Sequence, residues 1–283
     1  MNNSLIQFAP DYWVCPDFVS DLKTLGLNTI DAVFAFQGGT PLVKKELTAW
    51  RSRTEFVLPI KNARCFLKRY DRPPISVQLR NWFNHRKWAL TAEYDVLPCP
   101  RLNQAGIGTY QVIAWGGHWR GFWEEKSFAM LLEIPDAQSL EKKLPDCFLS
   151  PASKQTRREQ LDFLNYLADF ARRFHETGYC HRDFYLCHIF YSSNGFLSLI
   201  DLQRAFKPKW FRRRWILKDL SQLYYSAPGD VVSRTDRLRF YLRYMQKDVL
   251  PFSDRRFIRS LKRRAWSMAD RDIRRGKEPP FAK

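Results

Sequence analysis

The sequence predicts an α+β fold in two lobes, a small antiparallel sheet within residues 1–134 followed by a mainly helical region over residues 135–283. Three observations lead there. Short apolar runs bounded by glycine, proline and asparagine crowd the first part, which is how strands read. Apolar residues recur at three- and four-residue steps through much of the second part, which is how amphipathic helices read. The 283 residues, 45% hydrophobic and 16% aromatic, can bury a sizeable core, and the length suits one bilobal domain or two small ones.

In chain order, residues 1 to 30 carry a mixed pattern with Pro10 and Pro16 and suggest packing or tethering. An apolar run over residues 32–36 ends at Gly38-Gly39, and residues 54–58 and 64–70 read as two further strands around a turn at Asn62. Pro73 and Pro74 break the chain, and residues 77–96 read as a helix with Glu93 near its end. Strands are expected over residues 110–115 and 128–134. Leu161, Leu164, Ala168, Ala171 and Phe174 place a helix over residues 155–177, which Gly178 ends. Another helix should start at Lys218-Asp219-Leu220, with Asp219 capping its first amides or bracing a neighbouring loop. Two more follow: Leu238, Tyr241, Leu242 and Met245 mark the inner side of the first, and Ile258, Leu261, Ala265 and Met268 that of the second.

Lys and Arg outnumber Asp and Glu by 47 to 29, for a formal charge of +18. Such an excess suits a polyanion: nucleic acid, an acidic membrane face or a phosphorylated ligand. No nucleic-acid-binding motif accompanies it, so no nucleic acid is expected. Cys15, Cys65, Cys99, Cys147, Cys180 and Cys187 lack the spacing of a zinc site or a disulfide framework, and reduced thiols in a cytosolic chain are the simplest reading. The sequence has no secretory leader pattern and no run of eighteen apolar residues, so a membrane would be met from its cytoplasmic surface.

The stretch that organises the rest is His181-Arg182-Asp183-Phe184-Tyr185-Leu186-Cys187-His188-Ile189-Phe190. Its opening tripeptide resembles the catalytic loop of protein-kinase-like phosphotransferases, in which the aspartate orients the acceptor hydroxyl. Alone it is weak, since such tripeptides also occur in surface turns. It gains weight from Asp201 in Leu199-Ile200-Asp201-Leu202, an apolar run broken by one carboxylate at the spacing of a magnesium ligand. His188 stands where protein kinases carry a metal-binding asparagine. Lys68 in Cys65-Phe66-Leu67-Lys68-Arg69-Tyr70 matches the strand lysine that grips the α- and β-phosphates of ATP, with Glu93 as its expected partner. The backbone of Glu133 to Pro135 would meet the adenine edge. Gly38-Gly39-Thr40 lacks the Gly-x-Gly-x-x-Gly pattern and reads as a hairpin turn, leaving other amides, with Lys44 or Lys45, to cover the phosphates.

These motifs, with Gln203-Arg204-Ala205 and Lys218-Asp219-Leu220, resemble the lipopolysaccharide kinase family (Kdo/WaaP-type), small-molecule relatives of protein kinases, over residues 30 to 226. The resemblance implies a protein-kinase-like bilobal fold, with the first lobe gripping nucleotide phosphates and the second carrying the catalytic loop. It implies ATP and Mg2+ as cofactors, with Mn2+ possible because an imidazole is a softer ligand than an oxygen. The implied acceptor is a lipopolysaccharide inner-core sugar, heptose or Kdo, met peripherally at the inner face of the cytoplasmic membrane. Asp183 would be catalytic, Lys68, Glu93 and Glu133 would bind nucleotide, and Asp201 and His188 would hold metal. Arg182 would buttress the loop, and the basic segment Lys207, Lys209, Arg212, Arg213, Arg214 and Lys218 would face an anionic acceptor or lipid headgroups. A protein or small-metabolite kinase and a non-catalytic polyanion-binding protein are the alternatives. The missing Ala-Pro-Glu motif disfavours a protein substrate, and the retained Lys68, Asp183 and Asp201 disfavour a vestigial fold.

Overall fold

Strands with every second side chain buried need a partner sheet face, and the chain supplies it early. The computed structural model describes residues 5–42, 49–148 and 154–280, so Lys44 and Lys45 lie outside the described residues. The first elements are β1 (Ile6–Ala9), β2 (Tyr12–Val14), α1 (Val19–Thr24), α2 (Ile30–Ala35), β3 (Thr40–Pro41), β4 (Arg51–Val57) and β5 (Arg64–Asp71). Then come α3 (Ile75–His85), α4 (Glu93–Val96), α5 (Cys99–Gln104), β6 (Gly108–Thr109), β7 (Val112–Arg120) and β8 (Trp123–Leu132). The remainder holds β9 (Ala137–Ser139), α6 (Leu140–Phe148), α7 (Lys154–Glu176), β10 (Ile189–Ser192), β11 (Leu197–Leu199), α8 (Arg212–Ser226), α9 (Arg234–Met245) and α10 (Phe252–Ile273). The chain divides into two compact units. One holds the residues up to Pro100, Thr109–Pro135 and Asp201–Arg204; the other holds Arg101–Gly108, Asp136–Ile200 and the residues from Ala205 onward.

The first unit is built on a sheet of order β1-β2-β7-β8-β5-β4-β3, antiparallel at every pairing. Tyr12, Phe18, Leu22, Leu27, Ile30 and Val33 pack with Phe56, Leu67, Ile113, Phe128 and Met130 in its core. The N-terminal segment therefore widens the sheet and covers one face of it. Of residues 32–36, the first four belong to helix α2 rather than to a strand, and Phe36 is its extended C-cap. Thr29 Oγ1 caps it by accepting from Ala32 N at 3.1 Å, and the buried Ile30 and Val33 show a helical three-residue step. The helix expected over residues 77–96 is interrupted: α3 stops at Arg86, which takes a left-handed φ of +53°, and α4 is a separate short turn. Gly39, at φ +95°, turns the chain into β3 so closely that an added Cβ would lie 2.3 Å from the Glu55 carbonyl oxygen.

In the second unit α7 buries Leu164, Leu167, Ala168, Phe170, Ala171 and Phe174, and packs against α9. Helix α8 packs against α10, and β9, β10 and β11 form antiparallel pairs. Helix α8 begins at Arg212, before the expected start at Lys218, because Arg212, Arg213, Arg214 and Leu217 are good helix formers. Asp219 consequently lies mid-helix and is no cap.

Glu124, on β8, is a buried carboxyl that accepts from Thr91 N at 2.7 Å and Thr91 Oγ1 at 2.6 Å. Burial outweighs these hydrogen bonds and lifts its pKa to about 6. The folded state therefore holds a proton that the unfolded chain has released, so stability declines as pH rises from about 4.5 to about 6, by on the order of 2 kcal/mol. Glu124→Gln should flatten that part of the Tm-against-pH profile; an unchanged slope would assign it to other groups.

Candidate active site

Alternation along β5 puts Lys68 and Tyr70 on one face, and antiparallel pairing places Arg53 of β4 directly across from Lys68. Two like charges so placed repel, and Lys68 is also nearly buried, with a side chain 8% exposed. Two carboxylates offset this cost. Lys68 Nζ donates to Asp95 Oδ1 at 2.7 Å and to Asp201 Oδ1 at 3.1 Å, and Arg53 Nη2 reaches the same Asp201 oxygen at 3.3 Å. Tyr70 Oη donates to Asp95 Oδ2 at 2.9 Å, and burial, followed by the Asp95 charge, holds the phenol well above its ordinary pKa. Burial, the largest single effect, opposes the Arg53 charge, but Asp201, Tyr70 and Asp95 together outweigh it and raise the guanidinium pKa. The Asp95 backbone is fixed in turn, its carbonyl accepting from Tyr110 Oη at 2.7 Å. Asp201 itself sits at φ +57°, a left-handed conformation that is uncommon outside glycine.

The carboxylate paired with Lys68 is therefore Asp95 and not Glu93. Residues two apart on a helical turn point about 200° away from each other, so α4 can turn only one of them toward β5. Glu93, its side chain 16% exposed, pairs instead with the half-exposed Lys87. Glu133 donates its N–H to Arg64 O at 2.9 Å and sets its carboxylate 3.4 Å from Arg64 Nε. Since Pro135 has no N–H, Ile134 is the residue of this trio with an amide to offer an adenine edge.

In the second unit, one face of α8 holds residues 181–186 by their backbone. Asp219, fully buried, accepts from His181 N at 2.7 Å and Arg182 N at 2.8 Å. Gln222 accepts from Phe184 N at 3.0 Å and donates to Arg182 O at 2.8 Å, and Ser226 Oγ accepts from Leu186 N at 3.0 Å. Asp219, Gln222 and Ser226 recur at helical spacing, so a rigid rod fixes the loop at three points. Arg182 takes a φ of +70°, and its guanidinium lies 5.5 Å from the ring centroids of both Phe206 and Trp215, which is the buttress expected of it.

His181 is fully buried, which lowers its pKa and keeps the ring neutral; its Nε2 donates to Ile200 O at 2.9 Å. His188 Nδ1 lies 2.8 Å from Asp183 O. A carbonyl can only accept, so Nδ1 carries the hydrogen and the neutral ring's lone pair sits on Nε2, the atom suited to a metal. Tyr185 N donates to the same carbonyl at 2.9 Å, so Asp183 has its main chain fixed from two sides while its side chain is half-buried.

His175, Cys180 and Asp219 place three potential metal-ligating atoms within 4.8 Å of one another, all buried. The atoms there are occupied otherwise. His175 Nε2 meets Asp219 Oδ2 at 3.3 Å and its Nδ1 meets Tyr244 Oη at 2.9 Å, while burial pushes the Cys180 thiol far above its ordinary pKa. The cluster braces the loop.

Sequence reasoning overlooked Arg53, Tyr70, Asp95, Gln222 and Ser226. Strand register would have pointed to the first two, and helical spacing from Asp219 to the last two. Taken singly, Asp201 is a carboxylate 28% exposed, an oxygen donor of the kind Mg2+ prefers, and His188, with Nδ1 on the Asp183 carbonyl, has Nε2 left to accept.

The sequence model of the Lipopolysaccharide kinase (Kdo/WaaP) family matches residues 79–244, a span that includes Asp95, Asp183, His188, Asp201 and Asp219 and begins after Lys68. The chain is similar to the lipopolysaccharide core heptose(I) kinase WaaP of Pseudomonas aeruginosa, 31% identical over 180 residues, covering 59% of this chain and 66% of that protein. It is also similar to the Escherichia coli heptose(I) kinase WaaP, 26% identical over 220 residues, covering 74% of this chain and 82% of that one. Among solved structures, "WaaP in complex with acyl carrier protein" superposes with a TM-score of 0.65 at 23% identity, covering 87% of this chain and 95% of that chain. That likeness shows a shared kinase-like α+β fold. With its family match spanning more than half of the sequence, the chain belongs to the lipopolysaccharide kinase (Kdo/WaaP) family.

Proposed function

We propose that the protein transfers the γ-phosphoryl group of ATP to a heptose hydroxyl of the lipopolysaccharide inner core, working peripherally at the cytoplasmic membrane face. The observation that carries this is the buried Lys68 held between Asp95 and Asp201, together with a loop that fixes Asp183 through α8. Heptose is preferred over Kdo because the similar curated proteins bear the name heptose(I) kinase. The first unit serves as the phosphate grip and the second carries the base.

Phosphoryl transfer needs reactants aligned and charge neutralised more than it needs covalent help. Asp183 orients the sugar hydroxyl and accepts its proton as the oxygen bonds to the γ-phosphorus and the bond to the β-phosphate oxygen breaks. Lys68, oriented by Asp95 and Tyr70, contacts the α- and β-phosphates, and Arg53 adds positive charge on the same sheet face. Ile134 N–H and the neighbouring carbonyls meet the adenine edge. Asp201 would hold Mg2+, with His188 Nε2 as a second ligand, and the ion would supply positive charge to neutralise the phosphates. Among the described residues no helix is long and apolar enough to cross a membrane, consistent with peripheral attachment.

Incubation with γ-labelled ATP and separate heptose-bearing, Kdo-bearing and protein acceptors tests the reading. Label should enter the heptose-bearing acceptor; label in protein alone would replace the sugar assignment. His188→Asn supplies an oxygen ligand and should raise the Mg2+-to-Mn2+ activity ratio several-fold. An unchanged ratio would remove His188 from the metal.

A further inference from the structure

The first unit carries an exposed aromatic cluster that no step of the reaction uses. Trp88 is its centre. Trp82 from the end of α3 meets Trp88 edge-on at 4.5 Å between centroids, Trp119 of β7 lies nearly parallel to it at 6.0 Å, and Trp123 of β8 lies at 5.8 Å. Phe83, 75% exposed, extends from α3, and Phe122, 81% exposed, stands at the tip of the β7–β8 hairpin beside Gly121. Trp82, Trp119 and Trp123 are exposed as well. Leaving so much aromatic surface in water is costly, and a contiguous patch of this kind marks an interaction site.

The charges in its two segments are basic. The segment Arg80-Asn81-Trp82-Phe83-Asn84-His85-Arg86-Lys87-Trp88 contains three Lys or Arg residues and no carboxylate, and His118-Trp119-Arg120-Gly121-Phe122-Trp123 adds Arg120 and again no carboxylate. Lys87 is paired with Glu93 beyond the first segment; of the two carboxylates after the second, Glu124 is buried and Glu125 partly exposed. Tryptophan with its amphipathic ring, phenylalanine at protruding tips and a basic rim form the composition that settles at a bilayer interface carrying anionic headgroups. A sugar platform would instead need hydrogen-bonding carboxylates and amides around the rings, and only Asn81 and Asn84 are present in these segments.

We propose that the Trp82/Trp88/Trp119/Trp123 cluster, with Phe83 and Phe122 as inserting tips and Arg80, Arg86 and Arg120 as the cationic rim, docks the protein onto an anionic lipid bilayer. This rests on the proposed function only in taking the acceptor to be bilayer-held. The surface lies outside the basic 207–218 segment and inserts side chains in addition to attracting headgroups.

The test is sedimentation of the full chain with phosphatidylcholine vesicles containing about one-third phosphatidylglycerol, and with phosphatidylcholine alone, with tryptophan emission followed in parallel. Wild type should partition onto the anionic vesicles with a blue-shifted emission. Phe83→Asp/Phe122→Asp should lose partitioning by on the order of tenfold or more, and Arg86→Glu/Arg120→Glu should lose the preference for anionic vesicles. Both variants change exposed positions and should transfer phosphate to a soluble core oligosaccharide at the wild-type rate, so loss of docking is read separately from the kinase assignment. Equal partitioning of wild type and the Phe83/Phe122 variant would overturn the proposal. So would tryptophan quenching by the oligosaccharide without vesicle binding, which would make the cluster a sugar platform.

Discussion

Asp183→Asn is expected to lower phosphoryl transfer by roughly 10²- to 10⁴-fold, the usual contribution of a positioned base, while leaving ATP affinity within a few-fold of wild type. The carboxylate replaced is the proposed proton acceptor, whereas the elements that fix its backbone persist: Asp219 still receives His181 N and Arg182 N, and the residue 183 carbonyl still receives His188 Nδ1. Folding should therefore be nearly unchanged. A variant whose kcat falls without change in KM for ATP places Asp183 in the chemical step. A variant that loses ATP binding instead would move Asp183 to a nucleotide-holding role.

Asp95→Ala should be the most damaging single change in the first unit, and Glu93→Ala, two residues away, should be close to silent. Removing Asp95 strands the nearly buried Lys68 ammonium beside Arg53 with Asp201 as the remaining carboxylate, and removes the acceptor of Tyr70 Oη. Breaking one side of a buried pair costs about 3–5 kcal/mol, enough to unfold a marginal domain. Glu93 pairs with a half-exposed lysine, and its loss should stay within about 0.5 kcal/mol. Asp95→Asn keeps an acceptor for Tyr70 and removes the charge. It should fold, and should show a raised KM for ATP because Lys68 is no longer oriented. Equal effects at positions 93 and 95 in chemical denaturation would contradict the pairing.

The mixed α+β fold was legible because the apolar period changes from two to three-and-four along the chain, and the family was legible because His181, Arg182, Asp183 and Asp201 form a spaced set. The partner of Lys68 was misread because sequence proximity to the end of a helix says nothing about which face a residue occupies. Glu93 and Asp95 fall on opposite sides of one turn, and that turn is separated from α3 by a left-handed Arg86 that no glycine or asparagine announces. Residues 32–36 are too short a run to distinguish strand from helix by period, and Thr29 as a cap was the usable clue. Arg53 and Tyr70 become visible as site residues only with the register of β4 against β5. The aromatic cluster escapes sequence reading for a similar reason, since Trp82 and Trp88 meet Trp119 and Trp123 from another part of the sheet.

The central claim is tested most directly by the mass of a lipopolysaccharide core oligosaccharide, stripped of its heptose phosphates, after incubation with ATP and Mg2+. The account predicts a gain of one phosphoryl group located on heptose, produced by the wild type and absent with Asp183→Asn. An unmodified oligosaccharide from a wild-type preparation that demonstrably binds ATP would contradict it.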